Sequence, residues 1–291
     1  MAPPPAANLP LTERLLTLAK TLQFGWFVGH LTLILCTLRY ALSWVTMHTG
    51  TFFARFSYRT AFVAAAATYG IVVYKTFKAR AKSGRAPAAG AAGAVGLLTD
   101  ENVQYLLLAI VWLYSRQTIL ALLPYTIYSV FHVATYTRTN LIPTLSPPAT
   151  PAPAAGASPN AAKPTAAPHP VAESIGKFVK QYYDSSMSIV ALLEIVLWFR
   201  LLFSAITFSK GSWILIAVYT AFLRARFAQS SHVQSAFAQI EARVDNLTGA
   251  QGMNPTVRQV WDGVKGGVRQ AYAATDLQKY VGGAQAPRKT Q

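Results

Sequence analysis

Residues 24–46 form a continuous apolar run whose single formal charge is Arg39. As a helix this run is about 35 Å long, enough to cross a ~30 Å hydrocarbon core with some tilt. A second run, 57–77, is rich in alanine and has Tyr58 and Tyr74 near its ends, where aromatic side chains suit a membrane interface. A short connection containing Gly50 and Arg55 joins the two, so 24–77 reads as a transmembrane hairpin. Only 12% of the chain is charged, against about 25% in soluble domains. These features predict an all-α integral membrane protein.

Residues 103–136, VQYLLLAIVWLYSRQTILALLPYTIYSVFHVATY, set a harder problem. As one helix they would be about 51 Å long, too long for a simple span. Arg116 would then lie inside the membrane, at about 2.5–3.5 kcal/mol on insertion scales. A break near Ser115–Gln117 avoids that cost. Its first half, about 20 Å long, is too short to cross a bilayer, which predicts a re-entrant or shallow hairpin. Residues 187–208 and 211–227 form a third apolar pair around the tight connection Ser209-Lys210-Gly211-Ser212. A helix leading into that pair makes 171–227 one unit.

Between these pairs the chain is polar or of low complexity. Residues 1–23 are Pro-rich at the start, then place Leu11, Leu15, Leu18 and Leu22 at helical spacing, as in a short interfacial helix. The first apolar run reads as an uncleaved anchor, being too long for a signal-peptide core. The loop 78–102 follows Lys75 and carries Lys78, Arg80, Lys82 and Arg85 before an Ala/Gly stretch. Residues 143–170 hold nine prolines among alanines and lack the large apolar residues of a core, which predicts a disordered linker. The chain has 26 Lys and Arg against 10 Asp and Glu. Most of this excess falls on one side if each pair of runs returns the chain to its starting side. The positive-inside rule makes that side cytosolic, with both termini on it.

The tail, 228–291, is polar but sided. Val233, Phe237, Ile240, Val244 and Leu247 repeat every three or four residues. After Asn254-Pro255, a helix-start signal, Val257, Val260, Trp261, Val264, Val268 and Tyr272 do the same, with Arg258, Lys265 and Arg269 beside them. Gly263, Gly266 and Gly267 weaken the second helix in water by about 1 kcal/mol each relative to alanine. A sided helix that is poor on its own suits folding on a lipid surface. Membrane lipids are the expected ligand of these residues. The basic cluster is explained by topology, with no nucleic-acid partner.

Arg39, Arg116, Glu194 and Arg200 are ionisable groups in or beside apolar runs, and such groups are functional candidates by default. Structural pairing is the simpler expectation: Arg39 and Arg200 snorkel, Arg116 marks a hairpin tip, and Glu194 takes a partner on another helix, with Arg39, Arg116 or Arg200 as candidates. His30 and His132 have no metal-ligand spacing and are expected to hydrogen-bond within the bundle. The lone Cys36 excludes a disulfide within the chain. No nucleotide, hydrolase or metalloprotease signature occurs. The sequence therefore predicts no enzyme, no cofactor, no metal and no small-molecule substrate. A small polytopic transporter or channel using the four charges is the alternative, and a lipid-modifying enzyme using His132 stands behind it.

The stretch YSRQTILALLPYTIYSVFHVATYTRTNLIPTL from Tyr114 to Leu145 resembles the transmembrane protein 33 family. So does YDSSMSIVALLEIVLWFRLLFSAITFSKGSWILIAVYTAFLRARFAQSSHVQSAFAQIEARVD, ending at Asp245. LPYTIYSVFHVATYTRT is its most specific part. Fungal members are pore-membrane nucleoporins. The resemblance implies a protein of the endoplasmic reticulum membrane and nuclear envelope that shapes or stabilises curved membrane. It implies association with nucleoporins and the nuclear pore complex, with reticulon-like proteins, and, through the tail, with a nuclear import receptor. The family's membrane-binding helices fall at about 229–247 and 255–281 of this sequence. The long Ala/Pro linker and the scattered basic residues of the tail depart from the family pattern.

Overall fold

The computed structural model describes residues 9–83, 96–147, 169–250 and 253–275, and among them there is no strand. Helix α1 spans Leu11–Ala19, α2 Leu22–Val45 and α3 Phe52–Lys82. Helices α4, Glu101–Tyr114, and α5, Ile119–Tyr136, follow. A π-helical turn, Thr137–Leu141, carries α5 into the short α6, Ile142–Leu145. Helices α7, Pro170–Ile206, α8, Ser212–Gln229, α9, Ser231–Thr248, and α10, Pro255–Ala274, complete the order. Two compact units result: one holds α1 to α6 and α7 as far as Arg200, the other the rest of α7 with α8, α9 and α10.

Local chemistry sets the helix starts. Thr21 begins α2 by accepting a hydrogen bond from the Phe24 N–H at 3.1 Å, Thr51 begins α3 at 3.3 Å from the Ala54 N–H, and Asp100 begins α4 at 2.9 Å from the Asn102 N–H. Each satisfies a backbone donor that the first turn leaves open. The turn after α7 uses Gly211 at φ +78°, a left-handed conformation that glycine adopts without penalty. Across it, Ser204 Oγ and Ser212 Oγ lie 2.8 Å apart.

In the first unit α2, α3, α4 and α5 run alternately up and down. Helix α2 buries Phe27, His30, Leu33, Thr37, Tyr40 and Ser43, one stripe at three- and four-residue spacing. Its opposite face exposes Val28, Leu31, Leu35, Leu38 and Leu42, an inversion of the soluble pattern that suits contact with lipid tails. Helix α3 buries the small residues Ala54, Ser57, Ala61, Ala64, Ala65 and Thr68, of which Ala64 and Thr68 meet Gly29 of α2. Small residues let two backbones approach closely, which drives helix association in lipid.

Helix α4 lies antiparallel to α3. Arg80 reaches Asp100 at 3.6 Å, Tyr69 and Tyr105 stack at 5.4 Å, and Arg59 donates to the Trp112 carbonyl. Helix α5 then runs back along α2, with Thr126 Oγ1 3.0 Å from Thr37 Oγ1, His30 beside Ser129, and Phe27 stacked on Tyr136 at 4.7 Å. The α4–α5 pair therefore leaves the bundle at the end where α2 begins. There α6 packs on α1.

Among the described residues, four helical segments are long and apolar enough to cross a membrane: Leu22–Val45, Phe52–Lys82, Ile119–Leu145 and Pro170–Ile206. The protein is an all-α membrane protein. Helix α4, with 14 residues, is about 21 Å long and falls short of a hydrocarbon core. The expected break near Ser115–Gln117 corresponds to residues 115–118, between α4 and α5. The span expected at 57–77 lies inside a longer α3, so Lys75, Lys78, Arg80 and Lys82 are helical. The span expected to end at 136 continues to Leu145, and the first residues of the 143–170 linker are helical. Most of that linker, 148–168, lies outside the described residues, as do 84–95 of the 78–102 loop.

Candidate membrane-binding site and intramembrane polar residues

The amphipathic helices of the tail form an antiparallel hairpin. Ser230 opens α9 by accepting from the Val233 N–H at 3.4 Å, and Asn254 opens α10 by accepting from the Thr256 N–H at 2.9 Å, with Pro255 in the first turn. The Asp245 carboxylate on α9 accepts from Trp261 Nε1 at 2.6 Å and from Lys265 Nζ at 2.7 Å on α10. Glu241 and Arg269 pair one turn away at 3.4 Å. The bond from Lys265, then that from Trp261, holds the Asp245 carboxyl below the usual carboxylate range, and the same bond raises the Lys265 ammonium. At neutral pH both partners of this clasp are charged.

This clasp divides the apolar residues between two roles. Val233 is fully buried and Phe237 packs edge-on against Phe227 of α8 at 5.6 Å, while Ile240 and Val244 are half-buried. Leu247 is exposed. On α10, Trp261 and Lys265 turn toward α9 and are half-buried. Val257, Val260, Val264 and Val268 instead form an outward ridge, 44%, 63%, 48% and 64% exposed. Arg258 is exposed, whereas Lys265 and Arg269 already hold acidic partners. The four-valine ridge is an exposed apolar surface of the tail. Tyr272, the last residue of the expected stripe, packs on Phe227 and lies under the Arg224 guanidinium at 3.9 Å, which ties α10 back to α8.

The four intramembrane charges do not converge. Arg39 lies on the outer face of α2 and donates to Ser43 one turn on. Arg116 is exposed in the turn between α4 and α5, and Arg200 is exposed on α7. Glu194 is 1% exposed and accepts a short hydrogen bond from Tyr105 Oη of α4. Among the described residues none of the three arginines reaches it. Tyr105 also stacks on Tyr69, and its carbonyl accepts from Tyr125 Oη at 2.9 Å. Glu194 thus closes an aromatic ladder joining α3, α4, α5 and α7.

His30 and His132 sit side by side, with ring centroids 4.7 Å apart and Trp26 against both. Ser129 donates to the Tyr125 carbonyl at 2.8 Å, so its oxygen accepts from His30 Nδ1 at 2.8 Å. That assigns the His30 proton to Nδ1. No group of three or more metal-ligating side chains occurs among the described residues.

Two side chains outside the predicted set fix the α4–α5 turn. Arg59 of α3 donates to the Trp112 and Leu113 carbonyls, which the end of α4 leaves without helical partners. The neighbouring Tyr58 is fully buried and accepts from the Thr118 N–H at 3.3 Å. Tyr58 was expected at an interface on position alone; its hydroxyl instead serves the backbone that the turn opens. Arg59 was not singled out from the sequence, although it is a charge inside the apolar run 57–77.

Hairpins of apolar helices followed by a hairpin of amphipathic ones define an all-α helical membrane protein. The chain belongs to the family described as Transmembrane protein 33/Nucleoporin POM33, which it matches over residues 10–273. It is 62% identical over 288 residues to nucleoporin POM33 of Chaetomium thermophilum, covering 99% of each chain. It is 30% identical over 267 residues to the pore membrane protein of 33 kDa of Saccharomyces cerevisiae, covering 90% of this chain and 87% of the relative. It is also 30% identical over 261 residues to tetra-spanning protein 1 of Schizosaccharomyces pombe, covering 90% and 88%. No solved structure matches the chain.

Proposed function

We propose that this protein is a non-enzymatic component of the endoplasmic reticulum and nuclear envelope that stabilises curved membrane and contributes to nuclear pore complex assembly or distribution. The observation that carries this reading is the α4–α5 hairpin. Its first helix is too short to cross, and it brings the chain back to the end of the bundle where α2 starts and α1 packs on α6. A hairpin that occupies one leaflet more than the other enlarges that leaflet. Amphipathic helices inserted in the same headgroup region act in the same direction.

Crossing parity supports the sidedness. Helices α2 and α3 cross and return, α4–α5 enters and returns, and α7 turns at 207–211 into α8. Both termini and the tail hairpin then share the side that carries most of the lysine and arginine, the cytosolic side. The valine ridge meets lipid there. A nuclear import receptor would find Arg258 free, while Lys265 and Arg269 are held by Asp245 and Glu241. Contacts with nucleoporins and reticulon-like proteins fit the names of the relatives and the family resemblance, respectively.

The test is partition between curved and flat membrane. The purified protein, reconstituted in giant vesicles, is expected to be enriched severalfold on tubes pulled from them. Equal density on tube and vesicle refutes curvature preference. The topology has its own check. A glycan acceptor appended after Gln291 stays unmodified in cells, as does the native Asn246-Leu-Thr248 sequon; glycosylation of the appended site places the tail in the lumen and removes the shared-side mechanism.

A further inference from the structure

Helix α1 buries two residues, Arg14 and Leu18, one turn apart on a single face. Leu18 packs into a cluster with Phe27 and Tyr136. Arg14 is 9% exposed, and its Nε and Nη1 are enclosed with no acceptor. A guanidinium stays protonated in proteins, so this is a buried positive charge and not a neutral side chain. Leaving it uncompensated is strongly unfavourable.

The described residues around α1 supply no counter-charge. Glu13 is the only acid before Asp100, and it is exposed on another face of α1. No acid occurs between Glu101 and Glu173. Helices α2, α5 and α6 pack on α1, and none of them carries an acid, nor does the π-helical turn that leads into α6. That turn and α6 instead bring buried neutral polar groups, Asn140 and Thr144, to this end of the bundle. Short π-helical turns inside α-helices recur at functional sites. Helix α1 also exposes Leu11, Leu15 and Leu16 directly before the first membrane helix, which places Arg14 near the depth of lipid headgroups.

We propose that the contact of α1 with α6 binds one phosphate group, with the Arg14 guanidinium as its charged ligand. Phosphate fits because guanidinium pairs with it through strong charge-assisted hydrogen bonds, and because it is the abundant anion at a membrane surface. The phosphate comes from a phospholipid headgroup or from solution. The site goes beyond the curvature reading and stands or falls separately from it.

Thermal unfolding of the full-length protein in detergent tests the proposal. The probes are phosphatidylglycerol, diacylglycerol as the phosphate-free lipid, and inorganic phosphate. Phosphatidylglycerol is expected to raise the wild-type midpoint by several degrees and diacylglycerol to leave it unchanged. Arg14→Met is expected to lose this response at least tenfold in lipid concentration while unfolding no earlier than wild type without lipid, since it removes an unpaired buried charge. Arg14→Lys retains a weaker response. A shift with inorganic phosphate equal to that with phosphatidylglycerol assigns the phosphate to solution; a shift with the lipid alone assigns it to a headgroup. Equal responses of the wild type to phosphatidylglycerol and diacylglycerol, without response to phosphate, overturn the proposal whether or not the variants fold. So does Arg14→Met destabilised equally with and without lipid.

Discussion

Replacing Val260 and Val264 together by aspartate is expected to weaken binding of the isolated tail, residues 229–291, to small anionic vesicles by more than tenfold. Both valines lie on the outward ridge of α10. Burying a valine side chain contributes about 1.5–3 kcal/mol, and a tenfold change needs about 1.4 kcal/mol. Losing two such contacts and setting two negative charges against anionic headgroups exceeds that margin. Trp261→Phe is the contrasting variant. It keeps an aromatic ring but removes the N–H that Asp245 accepts, so it loosens the hairpin and changes vesicle binding only a few-fold. Vesicle co-flotation measures both. Unchanged binding by the double aspartate variant would show that the ridge faces something other than lipid.

The second large effect lies where α2 meets α3. A Cβ on Gly29 would fall 2.5 Å from Thr68 Cγ2 and 3.7 Å from the Ala64 carbonyl oxygen. Thr68 is fully buried, and its hydroxyl donates to the Ala65 carbonyl at 2.9 Å, so its methyl has little freedom to withdraw. Overpacking of this kind costs about 1–3 kcal/mol. Gly29→Ala should lower the unfolding midpoint in detergent, and Gly29→Leu should prevent the hairpin from closing. Thr68→Ser removes the obstructing methyl. The double variant Gly29→Ala with Thr68→Ser should recover most of the loss, a coupling that contacting residues show and distant ones do not. Additive effects of the two changes would mean that the helices do not meet there.

Much of this architecture was legible because lipid imposes simple demands. Length and apolarity marked the pairs of helices, and Arg116 marked the break that separates α4 from α5. Helix ends were harder to read. Lysine and arginine are good helix formers, so α3 continues through Lys75, Lys78 and Arg80 to Lys82 although hydropathy falls. The polar Thr137-Arg138-Thr139-Asn140 hides a continuous helix because its π-helical turn follows neither ordinary period. Long-range pairing was beyond reach of spacing. Glu194 finds Tyr105, 89 positions away, and Trp261 leaves the valine stripe only because Asp245 of α9 comes into register with it.

Chain order gives the grip of Tyr58 and Arg59 on the α4–α5 turn a further meaning. Both side chains are synthesised before the carbonyls and the N–H they hold. When α4 emerges, its landing point on α3 already exists, nearly two turns inside the start of that helix. Closing the α4–α5 turn on Tyr58 and Arg59 therefore needs no element that follows it in the chain.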